Sequence, residues 1–126
     1  GVFNCLRAVA PGMVERRRGR IVNISSGAGL RGFPTNAAYS ATKAAVNALT
    51  QAFAGEVREF GITVNAICPG PVATSIHATG PNHDALPHDL GMFDPSEVAD
   101  MILFLASSLS GHTTAQIFQV RDSDRW

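Results

Sequence analysis

The feature that most constrains this chain is a change of period that repeats along it. Short, β-branched apolar runs alternate with longer stretches in which apolar residues recur every three or four positions. The runs are Ile21-Val22-Asn23-Ile24, Ile62-Thr63-Val64-Asn65-Ala66-Ile67 and Ala115-Gln116-Ile117-Phe118-Gln119-Val120. Each reads as a strand, and the first two, apolar almost throughout, read as buried. Strands separated by helices pair in parallel through right-handed crossovers. The expected fold class is therefore α/β, a parallel sheet of about three strands with flanking helices, in one domain over residues 1–126.

The helical stretches carry boundary signals of their own. Val2, Phe3, Leu6, Val9 and Met13 form a stripe already running at residue 1, with no cap and no initiating Met. The chain is expected to start inside a helix and to be a piece of a longer protein. Arg16-Arg17-Arg18-Gly19-Arg20 ends that helix, and is read as cations complementing its C-terminal dipole rather than as a phosphate patch.

Residues 37–60 form the strongest helix, with Thr35 or Asn36 to cap it and Gly61 to end it in the left-handed conformation. Its stripe of Ala41, Ala44, Ala45, Ala48, Leu49, Ala52 and Phe53 is expected to pack closely against a sheet, a second helix or both. Residues 71–93 show little periodicity and are expected to be a functional loop. Asp94-Pro95-Ser96-Glu97 then opens a last helix as a capping box with Pro at its first position. Val98, Met101, Ile102, Leu105 and Leu109 supply its buried face.

Charge and cysteine usage narrow the function. Ten basic residues balance ten acidic ones, which gives no support to a nucleic-acid or membrane-surface role. Cys5 and Cys68 are too few for a disulfide framework and lack metal-ligand spacing, so a reduced, cytoplasmic setting is the default. No apolar run reaches the ~18 residues of a membrane span, and no signal peptide is visible.

Three groups of residues can carry chemistry. Tyr39 and Lys43 lie four apart on the strongest helix, so their side chains are neighbours that point away from the alanine stripe. A phenol ordinarily titrates near pH 10, and an adjacent ammonium stabilises its anion, which suits proton transfer at neutral pH. The pair taken alone reads more readily as an exposed Tyr–Lys contact on a solvated helix. Ser26 sits just past the first strand, thirteen residues before Tyr39, and open parallel sheets bind ligands beyond the carboxyl ends of their strands. Its bland reading is a turn serine. The second strand ends in Cys68-Pro69-Gly70-Pro71-Val72-Ala73-Thr74, where Gly70 lets a flat ligand approach and Thr74 offers a hydroxyl.

Taken together these segments resemble the short-chain dehydrogenase/reductase family. The carriers are Gly19-Arg20-Ile21-Val22-Asn23-Ile24-Ser25-Ser26, then Tyr39-Ser40-Ala41-Thr42-Lys43, then Val64-Asn65-Ala66-Ile67-Cys68-Pro69-Gly70, in matching order and spacing. The resemblance implies a partial Rossmann-like, doubly wound parallel sheet, the C-terminal catalytic half of an NAD(P)-binding domain. It implies an oxidoreductase passing hydride between NAD or NADP and a carbonyl or alcohol.

In that reading Ser26 orients and polarises the carbonyl, Tyr39 is the general acid/base, and Lys43 assists Tyr39 and bonds the nicotinamide ribose. Pro69, Gly70, Val72 and Thr74 line the nicotinamide, with the Val72 backbone at its carboxamide. Residues 75–93 form a variable substrate loop, and the 37–60 helix is a dimerisation helix of a homo-oligomer. The family's phosphate loop, first three strands and catalytic asparagine would precede Gly1. Its usual glycine pair after the last strand is replaced by Arg121-Asp122-Ser123-Asp124.

Other signals are set aside. Gly27-Ala28-Gly29-Leu30-Arg31-Gly32 spells G-x-G-x-x-G after a strand, but Pro34 separates it from the helix, and no acidic residue ends the next strand. His77, His83 and His88, near Asp84 and Asp89, fit no standard metal spacing, so no metal is expected. Cys68 has no basic partner to activate it and reads as a small buried residue. Two further readings compete: an inactive truncated relative that serves as a dimerisation or binding module, and an epimerase or dehydratase sharing Tyr-x-x-x-Lys. The Asn-Ile-Ser-Ser and Pro-Gly segments favour the dehydrogenase branch over the second.

Overall fold

The computed structural model describes residues 1–75 and 92–120. Helix α1 spans Val2–Glu15, strand β1 Gly19–Ile24, helix α2 Ala37–Val57, strand β2 Ile62–Pro69, helix α3 Pro95–Ala106 and strand β3 Ile117–Val120. The strands form one parallel sheet in the order β1-β2-β3, with Ile24 beside Ile67 and Ala66 beside Ile117. The α/β fold class expected from the alternating periods is thus present. No helix among the described residues is long and apolar enough to cross a membrane.

Strand β2 is the centre of the core, with every residue from Ile62 to Cys68 buried. Successive side chains of a strand point to opposite faces. Ile62 and Val64 accordingly pack with Ala54 and Val57 of α2, against Met13 and Val14 of α1. Ile67 faces the other way, onto Val98 and Leu105 of α3, with Val22 of β1 and Phe118 of β3 beside it. Helices therefore cover both faces of the sheet.

That arrangement corrects one expectation. The strand order advances in a single direction while α2 and α3 lie on opposite faces, so the two crossovers have opposite hands and cannot both be right-handed. The connection between β2 and β3 spans residues 70–116 and includes α3.

The helix boundaries follow the local signals closely. Gly61 sits at φ 70°, ending the α2 segment as a left-handed residue after a 3-10 turn at Arg58–Phe60. Asn36 takes the N-cap position of α2, without a side-chain cap bond to the helix, and Thr35 before it adopts φ 66°. At α3 the capping box is complete: Asp94 accepts from the Ser96 N–H, and the Glu97 carboxylate accepts from the Asp94 N–H.

Packing departs from the sequence in three places. The buried residues of α2 are Ser40, Asn47, Thr50, Ala54 and Val57. Ala41, Ala44, Ala45, Ala48 and Ala52 are exposed, so the alanine stripe looks outward and the more polar face meets the sheet. Leu109 is 82% exposed, because α3 ends at Ala106 and Ser110 turns inward instead. Only Leu6 of the α1 stripe is fully buried, and Phe3 and Val9 face out.

Candidate active site

The candidate residues gather at the carboxyl ends of β1 and β2, and the polar face of α2 explains how. Where a helix packs on a sheet through polar side chains, each buried polar group needs a partner. Thr50 accepts from Asn23 Nδ2 at 2.9 Å, across to the carboxyl-terminal end of β1. Asn47 donates to the Gly29 carbonyl at 3.1 Å, and its Oδ1 accepts from the Cys68 thiol at 3.5 Å. One turn earlier, Ser25 Oγ donates to the Lys43 carbonyl at 3.0 Å. Positions 43, 47 and 50 thus form one ladder that sets the helix against β1 and the loop after it.

This ladder delivers Lys43. Its ammonium donates to the Ile24 carbonyl, the last of β1, at 3.1 Å and stands 5.7 Å from the centroid of the Tyr39 ring. Tyr39 occupies the first turn of α2 and is 48% exposed. Both sit on the side of α2 away from the alanines, as their spacing requires.

Ser26 follows directly on this clamp. It caps the 3-10 turn Gly27–Gly29, with its Oγ accepting from the Ala28 N–H at 3.2 Å. A hydroxyl that accepts in this way keeps its own O–H to donate. The turn lies against the end of the second strand: the Ser25 N–H donates to the Ile67 carbonyl at 2.7 Å, and a Cβ on Gly27 would touch the Pro69 carbonyl at 3.7 Å. Ser26, Tyr39, Lys43 and Pro69 therefore belong to one edge of the sheet.

The segment beyond Pro69 is fixed from below. The Gly70 N–H donates to the Val120 carbonyl at 2.9 Å. Val72 pairs with Phe93 in a parallel bridge, held by Phe93 N–H to Pro71 O at 2.8 Å and Ala73 N–H to Phe93 O at 2.9 Å. The Phe93 ring is buried over Gly70, where a Cβ would stand 2.9 Å from it. Glycine at 70 is thus a packing requirement of Phe93. Val72 is half-buried and Thr74 exposed at the outer end.

Of the glycines in the discounted G-x-G-x-x-G run, Gly29 is required by packing and Gly32 is not. A Cβ on Gly29 would meet the Lys43 backbone at 2.7 Å, and one on Gly32 would meet nothing within 4 Å. Among the described residues no group of three His, Cys, Asp or Glu side chains can hold a metal. His77, His83, His88, Asp84 and Asp89, and most of the 71–93 loop, lie outside the described residues. Ser25, Asn47, Thr50 and Phe93 were not singled out from sequence. The signal for the middle two was a polar i, i+4, i+7 row opposite the alanines, starting from Lys43.

Comparison with known proteins identifies the family. The sequence pattern of the family described as short chain dehydrogenase matches residues 1–84. The chain is 41% identical over 125 residues to the 3-oxoacyl-[acyl-carrier-protein] reductase FabG of Thermotoga maritima, covering 95% of this chain and 51% of that protein. It is 40% identical over 131 residues to the inactive 2-(S)-hydroxypropyl-CoM dehydrogenase 2 of Xanthobacter autotrophicus, covering 95% and 57%. The chain thus spans about half the length of these relatives. Among solved structures, a 3-oxoacyl-[acyl-carrier protein] reductase of Brucella melitensis with bound NAD superposes with a TM-score of 0.78 at 42% identity, covering 94% of this chain and 45% of that one. With its parallel sheet and these matches, the chain belongs to the short-chain dehydrogenase family of oxidoreductases.

Proposed function

We propose that the chain carries the catalytic apparatus of an oxidoreductase that moves hydride between NAD or NADP and a small carbonyl or alcohol. The supporting observation is the Lys43 ammonium, held on the Ile24 carbonyl at 3.1 Å beside the exposed Tyr39 ring, at the strand end that also bears Ser26. A nicotinamide cofactor, when bound, supplies or takes up the hydride. Tyr39 gives its hydroxyl proton to the carbonyl oxygen in reduction and takes it back in oxidation. Ser26, whose O–H is left to donate, orients that oxygen.

The donor set fits such a cofactor. An ammonium has three N–H groups; Lys43 places one on Ile24 and has others for a ribose hydroxyl. Pro69, Gly70, the Val72 backbone and Thr74 are the nicotinamide-lining segment, and residues 75–93 the substrate loop, of an NAD(P)-binding Rossmann-like domain in the cytoplasm. The test is titration of the 126-residue protein with NADH and NADPH, followed by nicotinamide fluorescence. A longer chain that includes these residues should turn over carbonyl substrates with NADH or NADPH, and Tyr39→Phe should lower its rate by roughly 10²–10⁴. An unchanged rate in Tyr39→Phe overturns the assignment.

One observation favours a second reading. The outward alanine face of α2 is a flat surface of small side chains suited to close helix pairing in a homo-oligomer. A relative named as inactive shows that a family name does not guarantee turnover. In this reading the chain is a dimerisation module, and a monomer at micromolar concentration by sedimentation would count against it.

A further inference from the structure

We propose that Ser25, which belongs to none of the residues assigned to substrate or cofactor, is a positioning residue for Lys43. The proposal rests on the reading of Lys43 as part of the active site, but its geometry stands apart from catalysis. Two successive residues at the end of β1 grip the same helical residue from its two ends. Ile24 holds the Lys43 ammonium through its carbonyl at 3.1 Å, and Ser25 holds the Lys43 backbone carbonyl through its hydroxyl at 3.0 Å.

An ammonium on a four-carbon stem has many rotamers, and a single hydrogen bond at its tip does little to choose among them. Fixing the backbone from which the stem springs sets the span the stem must bridge to reach the Ile24 carbonyl, and so selects the rotamers that can make that bond. Ser25 is well placed to do so. It is 3% exposed, and its own N–H is committed to the Ile67 carbonyl at 2.7 Å, so it is tied to the sheet on one side and to α2 on the other.

Two neighbours close the clamp. A Cβ on Gly29 would stand 2.9 Å from Ser25 Oγ and 2.7 Å from the Lys43 carbonyl carbon, so only glycine admits the loop this close. Asn47 then anchors the Gly29 carbonyl at 3.1 Å. The hydroxyl of Ser25 thus bonds inside a space walled by backbone, where the Lys43 carbonyl is within its reach.

The sequence makes the test direct, because Lys43 is the only lysine and Tyr39 the only tyrosine in the chain. In protein labelled with 15N-lysine, the side-chain ammonium gives a single resonance, observable without cofactor or activity. With Ser25 intact its exchange rate sets the reference. Ser25→Ala should raise its N–H exchange rate by up to about tenfold, the factor that one net hydrogen bond supplies.

Ser110→Ala is the control. Ser110 is 1% exposed and its hydroxyl donates to the Leu105 and Ser107 carbonyls, away from Lys43. It should destabilise the fold comparably while leaving the Lys43 signal unchanged. An unchanged Lys43 signal in Ser25→Ala, or an equal change in both variants, overturns the proposal. Failure of the catalytic reading would appear separately, as undiminished turnover in Tyr39→Phe of the longer chain.

Discussion

Replacing Gly29 by alanine should detach the loop after β1 from α2, and the cost can be worked from contacts. The added methyl would lie 2.7 Å from the Lys43 carbonyl carbon and 2.8 Å from its oxygen, roughly 1 Å inside the ~3.5–4.0 Å of ordinary carbon contact. Both obstacles are helix backbone, which has no rotamer to yield, so the loop must move by about that distance. Overpacking of this kind costs ~1–3 kcal/mol. A retreat of roughly 1 Å also breaks Ser25 Oγ to Lys43 O at 3.0 Å and Asn47 Nδ2 to Gly29 O at 3.1 Å, each contributing about 0.5–1.5 kcal/mol net. The total is about 2–6 kcal/mol, a large share of the ~5–15 kcal/mol of a typical domain. Urea unfolding followed by circular dichroism would measure it. Gly32→Ala, in the same loop with nothing within 4 Å, should melt within ~0.5 kcal/mol of wild type. If Gly29→Ala is as stable as Gly32→Ala, the loop does not rest on α2 and the account of the site is wrong.

Other expectations concern the same framework. Thr50→Val keeps the shape at a fully buried position but strips Asn23 of its partner, and should cost about 1–3 kcal/mol by denaturant unfolding. Leu105→Ala, in the cluster under α3, should cost ~2–5 kcal/mol by the same measurement. The Ser96 hydroxyl and backbone bonds hold the Asp94 carboxyl below its ordinary value of 3.8. A carboxylate depressed in the fold stabilises above its unfolded value and loses that contribution as pH falls through the folded one. Asp94→Ala should therefore lower the melting temperature near neutral pH, and the difference from wild type should shrink as pH drops below 3.8. Ala48→Arg, on the outward face of α2, should leave the monomer fold intact and abolish any self-association seen by sedimentation.

The sequence by itself determined the order and kind of the elements, because each rests on local physics. β-branched runs made the strands, Gly61 ended the α2 segment at a positive φ, and Asp94-Pro95-Ser96-Glu97 spelled the α3 cap. It also picked out Tyr39 and Lys43 as neighbours, since i and i+4 meet on any helix. Tertiary structure decided which face of α2 turns inward. Apolarity pointed to the alanines, but a small methyl gains little from burial, whereas Asn47 and Thr50 reach hydrogen bonds across to the loop and β1 that no local pattern reveals. The hands of the two crossovers, the seat of Phe93 over Gly70, and the grip of Ile24 and Ser25 on Lys43 have the same origin. Each is a contact between residues far apart in the chain, and only the folded sheet brings their partners within reach.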